Sequence, residues 1–160
     1  EEQVVWGKVT LSGHSQGGGH VALMAQRYEL ARAVFFSSPA DNCMRDGVKG
    51  LPDWADWPLK TPSERLFGLS HVKEKGRENH QMNWDNLGMA TGGCLVDVDS
   101  SYPPYGNTQM LVTGVEPASG PCPATGICDA AHGATVADTP MDVENKPVLL
   151  PAWHYLMHVQ

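Results

Sequence analysis

A serine stands between two glycines in the pentapeptide GHSQG, residues 13–17 of the chain. The G-x-S-x-G spacing is typical of a serine on a sharp turn between a strand and a helix, where its hydroxyl is exposed for nucleophilic attack. Glycine suits the flanking positions, because the strand and the helix cross closely at such a turn. We therefore expect Ser15 to be a nucleophile.

The residues on either side of this pentapeptide fit the same interpretation. Residues 8–12 form a short β-rich run, and residues 17–26 continue as a helix with an apolar side. The alternative is a glycine-rich connection that contains a serine by chance. The order of strand, turn and helix favours the nucleophile.

A nucleophilic serine needs a nearby imidazole to accept its proton and a carboxylate to orient that imidazole. In proteins with this type of turn, the acid and then the histidine follow the serine along the chain. His132 comes late, in a segment of small residues (129–135), and we predict that it is the general base. A surface histidine without a role is the alternative. The other six histidines flank the serine, come too early or fall in a terminal helical pattern: His14, His20, His71, His80, His154 and His158.

Two carboxylates compete for the role of the acid. Glu74 follows the segment 66–71, and Asp41 follows the strand predicted after the helix that begins at the serine. Each has an alternative without chemistry. Glu74 is flanked by two lysines and fits a solvated surface charge, while Asp41 fits a turn or cap residue. We favour Glu74 over Asp41 and keep Asp129 and Glu116 as remaining candidates.

The negative charge that develops on the oxygen of a reacting acyl group must be stabilised by N–H groups that donate hydrogen bonds to it. The N–H of Gln16 begins the predicted helix, where the helix dipole adds positive potential, and we expect it to be one donor. A second donor normally comes from a loop after an earlier strand. Only 14 residues precede Ser15, so we expect residues 1–160 to be a single domain that is incomplete at its amino terminus.

The composition limits the classes of partner. The 160 residues include 11 basic and 18 acidic side chains, a formal net charge of −7. The basic residues do not cluster, so we expect neither nucleic acid nor an anionic membrane surface as a partner. No apolar stretch approaches the roughly 20 residues that span a bilayer. The first residues lack a signal-peptide pattern, which fits a cytosolic protein or one whose leader has been removed.

Four cysteines lie in turn-rich segments. We predict two disulfides, Cys122 with Cys128 and Cys43 with Cys94, although three pairings are formally open. A zinc site is an alternative that the absence of a close C-x₂-C pair disfavours, and reduced buried thiols are another. Because disulfides persist in oxidising compartments, we predict that the protein is secreted or periplasmic.

Apolar runs of strand type alternate with helical patterns along the chain. The predicted strands are 33–37 and 108–113, the predicted helices are 80–90 and 147–157, and the segment 66–71 fits either. Residues 61–64 have the pattern of a helix start, with proline at the first helical position and a capping-box glutamate. This alternation predicts an α/β fold with a mainly parallel sheet flanked by helices.

Several short motifs resemble one protein family. They are Trp6-Gly7-Lys8-Val9, the serine pentapeptide with the glycines after it, Ser38-Pro39-Ala40-Asp41, residues 61–69, Ala131-His132-Gly133 and residues 151–156. Together they are similar to a group of bacterial α/β-hydrolases, most of them uncharacterised, over nearly the whole chain. The resemblance implies the carboxyl-terminal portion of an α/β-hydrolase fold, with Ser15 as nucleophile and His132 as base. Such relatives have an Asp where this chain has Glu74, whereas Asp41 is similar in both.

The residues and the resemblance together predict a serine hydrolase. Its substrate would be a small-molecule carboxylic ester, cleaved through an acyl-enzyme intermediate. Neither a metal ion nor an organic cofactor is expected. One alternative is a half-domain, which either acts as a scaffold or needs a missing amino-terminal segment of the same domain. Another is a binding module without catalysis.

Overall fold

Parallel strands form the central sheet. The computed structural model describes residues 3–117 and 130–158. Its strands are β1 (Thr10–His14), β2 (Arg32–Phe36), β3 (Cys43–Arg45), β4 (Val48–Gly50), β5 (Leu66–His71), β6 (Val96–Asp97) and β7 (Met110–Thr113). Five of them form one sheet in the order β1-β2-β5-β7-β6, with every neighbouring pair parallel. Strands β3 and β4 form a separate antiparallel hairpin.

Helices connect and cover these strands. They are α1 (Gln16–Arg27), α2 (Arg77–Asn86), α3 (Ala130–Ala134) and α4 (Leu150–Met157). Short 3₁₀ turns occur at Trp6–Lys8, Asp53–Asp56, Ser63–Arg65, Met89–Gly92 and Tyr105–Asn107. Among the described residues, none of these helices combines the length and the apolar character that crossing a lipid bilayer requires.

Apolar side chains on both faces of the sheet form two cores. Ala33 and Phe35 of β2 belong to a cluster that includes side chains of α1 and α2. Val34 and Phe36, which alternate with them, belong to a second cluster that includes side chains of α4. Successive side chains of a strand point to opposite faces. The helices therefore lie on both faces of a mainly parallel sheet, which confirms the predicted α/β class.

The carboxyl ends of four neighbouring strands meet at one edge of the sheet. His14 of β1 is in register with Phe36 of β2, and His71 of β5 is in register with Thr113 of β7. The segments that follow these strands therefore begin side by side. One of them is the turn that contains Ser15.

Two predictions of local structure are wrong. The helix start predicted at 61–64 yields only the 3₁₀ turn Ser63–Arg65, and the ambiguous segment after it is strand β5. All six residues of β5 are buried, so the sheet provides backbone hydrogen bonds that an isolated short helix would lack. Helix α2 begins and ends earlier than the predicted 80–90.

The predicted disulfide between Cys43 and Cys94 is also wrong, because both residues are free thiols. The Sγ of Cys43 donates to the carbonyl oxygen of the residue after β4, at 3.0 Å. The carbonyl of Cys94 instead accepts the hydroxyl of Thr108 at 2.6 Å, so the two cysteines are anchored to different elements. The second predicted pair, Cys122 with Cys128, lies outside the described residues. The secreted or periplasmic location stays a prediction.

Gly18 of α1 packs closely against Ser38, which follows β2, and this contact can be tested by substitution. Replacing Gly18 by alanine is expected to lower the free energy of unfolding by about 1–3 kcal/mol, because the added methyl would overlap the buried side chain of Ser38. The matched control is Gly17→Ala, where a Cβ meets no atom within 4 Å and alanine favours the helix by about 1 kcal/mol. Urea unfolding measures both variants. Equal stability of the two would contradict this packing.

Candidate active site

Ser15 lies on a tight turn between β1 and α1. Its backbone angles are φ 57° and ψ −127°, and this positive φ is strained for a residue with a side chain. The N–H of Ser15 donates to the carbonyl of Phe36 at 3.0 Å, which ties the turn to the end of β2. A side chain at Gly13 would overlap the main chain of Gly17, so the crossing requires glycine. The surrounding structure therefore holds this serine in an unfavourable conformation.

Gln16 is the first residue of α1. The first N–H groups of a helix have no partner inside the helix, and the aligned peptide dipoles place partial positive charge at that end. The N–H of Gln16 therefore directly follows the strained serine at the positive end of α1. This arrangement suits an oxyanion donor.

Glu74 and His132 are hydrogen-bonded, although 58 residues separate them. The Nδ1 of His132 lies 2.5 Å from Oε1 of Glu74. Glu74 is buried, with 3% of its side chain exposed, whereas 28% of the His132 side chain is exposed. A buried carboxylate on Nδ1 fixes the orientation of the ring and leaves Nε2 as the nitrogen for proton exchange.

A turn at the end of β5 places Glu74. The N–H of Glu74 donates to the carbonyl of His71 at 3.1 Å, and the N–H of Lys73 donates to Nδ1 of His71 at the same distance. His71 itself is fully buried as the last residue of β5. The turn therefore projects the carboxylate from the same sheet edge as Ser15.

His132 lies on the short helix α3, not on the loop that the sequence predicts. Two contacts hold Thr135, the residue after this helix. Its Oγ1 lies 3.0 Å from Oγ of Ser37 in a buried contact, and the indole N–H of Trp153 donates to its carbonyl at 2.8 Å. These contacts join α3 to the end of β2 and to α4. A rigid support of this kind limits the positions that the His132 ring can take.

His14, the residue before the serine, contacts the same histidine. Its Nε2 lies 2.8 Å from the carbonyl oxygen of His132, and the two ring centroids are 4.5 Å apart. A carbonyl only accepts, so Nε2 of His14 carries the hydrogen of this bond. His14 thus links the serine turn directly to α3.

A buried Ser–His pair lies behind the Glu74 carboxylate. The Oγ of Ser70 is 2.9 Å from Nδ1 of His80 and 3.4 Å from Oε2 of Glu74. The Nε2 of His80 lies 3.7 Å from Oε1 of Glu74. Burial lowers the pKa of His80 to about 4, so its ring is neutral at pH 7. From the sequence we do not select His80, because it comes too early in the chain for the base. Its helical spacing to the apolar Trp84 is a sequence signal that it faces inward.

The other candidate acids lie in different surroundings. Asp41 is exposed, and its Oδ2 would be 2.8 Å from a Cβ built on Gly19 of α1. Glu116 is exposed and pairs with Nζ of Lys73 at 2.6 Å, and this hydrogen bond lowers the pKa of Glu116. Asp129 lies outside the described residues. Glu74 is the candidate acid that the structure places against His132.

A cavity of about 1040 Å³ lies away from Ser15 and Glu74. Its lining includes Arg32, the first residue of β2, and Gln109, which precedes β7. These positions are at the amino-terminal ends of the strands, whereas Ser15 and Glu74 follow the carboxyl ends. The cavity is therefore not part of the Ser15 site.

The described residues contain no group of three or more His, Cys, Asp or Glu side chains arranged to hold a metal ion. Comparison of the chain with models of known protein families, with curated proteins and with solved structures found no match.

Proposed function

We propose that the protein is a serine hydrolase of the α/β-hydrolase type that cleaves carboxylic esters through an acyl-enzyme. The single observation that carries the proposal is the 2.5 Å hydrogen bond between Glu74 and His132 at the sheet edge where Ser15 is strained. Strand, serine turn and helix stand in the order typical of this type, and the acid and the histidine follow in the required chain order. The chain would form the carboxyl-terminal portion of the fold.

The reaction divides into two transfers of the acyl group. In the first, Oγ of Ser15 attacks the ester carbonyl carbon while its proton passes to Nε2 of His132. The oxyanion that forms is stabilised by the N–H of Gln16. The tetrahedral intermediate then collapses, the bond to the alcohol oxygen breaks, and His132 returns the proton to the departing alcohol.

In the second transfer water is the nucleophile and Ser15 is the leaving group. His132 removes a proton from water as the water oxygen attacks the acyl carbon, and the same proton then returns to Oγ of Ser15 when the carboxylic acid leaves. Throughout, Glu74 stays a carboxylate that holds the ring through Nδ1 and stabilises the imidazolium. The residues involved end the cycle in their starting protonation states.

Rapid kinetics on p-nitrophenyl esters test this function. We expect a burst of p-nitrophenol in the first turnover, with an amplitude close to the enzyme concentration, because acylation releases the alcohol before deacylation limits the rate. A series of acyl chain lengths would then identify the preferred substrates. Mass spectrometry of the quenched burst should find the acyl group on the peptide that contains Ser15. Absence of both hydrolysis and adduct in the full-length protein would refute the proposal.

The position of β1 favours a second candidate function, that of a half-domain which acts only with a further segment. Among the described strands β1 pairs with β2 alone, and none of its five residues is fully buried. An additional strand paired with the outer side of β1 would cover β1 and bring a second oxyanion donor. The burst assay separates the two candidates: the half-domain predicts a burst only when the further segment is present.

A further inference from the structure

A second imidazole lies behind the candidate acid. His80 of α2 is fully buried, and its Nε2 is 3.7 Å from Oε1 of Glu74, the oxygen that binds His132. Within the described part of the chain, this Nε2 has no hydrogen-bond partner at normal distance. Burying a polar nitrogen costs free energy unless a charge or a hydrogen bond compensates for it. The adjacent carboxylate is the group that can supply this compensation.

Ser70 indicates which nitrogen of His80 carries the hydrogen. The hydroxyl has one proton and two neighbouring acceptors, Nδ1 of His80 at 2.9 Å and Oε2 of Glu74 at 3.4 Å. Donation over the shorter contact, to Nδ1, would place the hydrogen of the neutral ring on Nε2. The reverse tautomer would direct the lone pair of Nε2 at a carboxylate, which is repulsive.

Among the described residues, the charged or titratable groups that act on His80 belong to the site or to α2. Burial is the largest influence and favours the neutral ring. The carboxylate of Glu74 raises the pKa of His80, whereas His132, His14 and Arg77 lower it. Because burial dominates, His80 presents a neutral N–H dipole and not a positive charge to the carboxylate.

We propose that His80 is a positioning residue for the Glu74–His132 pair: its Nε2–H faces Oε1 of Glu74 and holds the ionised carboxylate against the imidazole. The inference rests on the proposed function, because it takes Glu74 and His132 to be the acid and base of a triad.

Loss of the N–H dipole has an effect of known sign. The positive end of the dipole faces the carboxylate, so its removal makes the pair more negative and favours uptake of a proton. We therefore expect the pKa of His132 to rise by about half a unit, because a dipole 3.7 Å from the carboxylate interacts with it more weakly than a hydrogen bond would. Since His132 must be neutral to accept a proton, the acidic limb of the activity profile would move to higher pH by the same amount.

Two substitutions separate the roles of the two ring nitrogens. In His80→Gln the side-chain amide reaches the position of Nε2 and can donate to Glu74. In His80→Asn the amide reaches only the position of Nδ1, beside Ser70. NMR titration of the imidazole signals gives the pKa of His132 in the full chain. We expect the rise in His80→Asn and little change in His80→Gln, whereas a purely structural role would not produce this difference.

The titration needs no turnover, so its result is independent of whether the protein hydrolyses esters. An unchanged pKa of His132 in His80→Asn would overturn the proposal even if the protein is an active esterase. The expected rise in the pKa of His132 would establish the coupling between His80 and the Glu74–His132 pair even in a protein that shows no esterase activity. If neither variant folds, the imidazole ¹⁵N shifts of His80 in the unmodified protein decide the matter: a protonated Nε2 supports the proposal, and a protonated Nδ1 overturns it.

Discussion

Substitution of Ser15 by alanine is expected to abolish labelling of the protein by a fluorophosphonate probe. The probe transfers its phosphonyl group to an activated serine oxygen, and the substitution removes the only Oγ on the strained turn between β1 and α1. Ester turnover should fall by a factor on the order of 10⁴ or more, because acylation has no other nucleophile. Gel fluorescence of the labelled protein and the rate of p-nitrophenol release measure the two effects.

Ser12→Ala is the matched control for this experiment. Ser12 is an exposed serine of β1, three residues before Ser15, and it is not part of the site. This variant should be labelled and should turn over ester at the rate of the unmodified protein. Labelling that persists in Ser15→Ala at another residue would show that the nucleophile lies elsewhere.

Substitution of Glu74 by glutamine is expected to lower kcat by roughly 10³–10⁴-fold. Glutamine has nearly the same volume, but its amide can donate a hydrogen to Nδ1 of His132 and so place the ring hydrogen on Nε2. A ring with hydrogen on Nε2 cannot accept the proton of Ser15, and the imidazolium would lose its carboxylate partner. Steady-state kinetics with a p-nitrophenyl ester measure the loss.

Asp41→Asn provides the comparison that decides between the two candidate acids. The exposed carboxylate of Asp41 lies beside Gly19 of α1, so its loss should change kcat less than about twofold. Circular dichroism of each variant checks that the fold is retained. A large loss in Asp41→Asn together with near-normal activity in Glu74→Gln would reverse the assignment of the acid.

Local patterns were sufficient for the serine turn and for the class of fold. The glycine at position 13 and the apolar runs of β2 and β7 act over a few residues, and so their structural consequences are readable from neighbours in the chain. The exceptions were segments whose surroundings override local preference. The strand β5 follows a helix-start pattern, yet its complete burial between two layers selects the sheet.

The arrangement around the candidate acid depends on contacts between residues far apart in the chain. The sequence favours Glu74 over Asp41 but leaves both open, because both lie between the serine and the late histidine, as the chain order requires. Only the turn at the end of β5 and the placement of α3 bring Nδ1 of His132 to Glu74, 58 residues away. The same tertiary contacts place His80 behind that carboxylate, although its position in the chain argued against any role.

The sequence by itself thus determined the nucleophile candidate, the late histidine and the alternation of strands and helices. The folded chain decided which carboxylate meets His132, which histidine supports that carboxylate, and that Cys43 and Cys94 are free. The physical reason is the separation along the chain over which each interaction acts. Backbone preference and hydrophobic period act between neighbours, whereas a hydrogen-bonded site is formed from residues that only the register of the parallel strands brings to one edge.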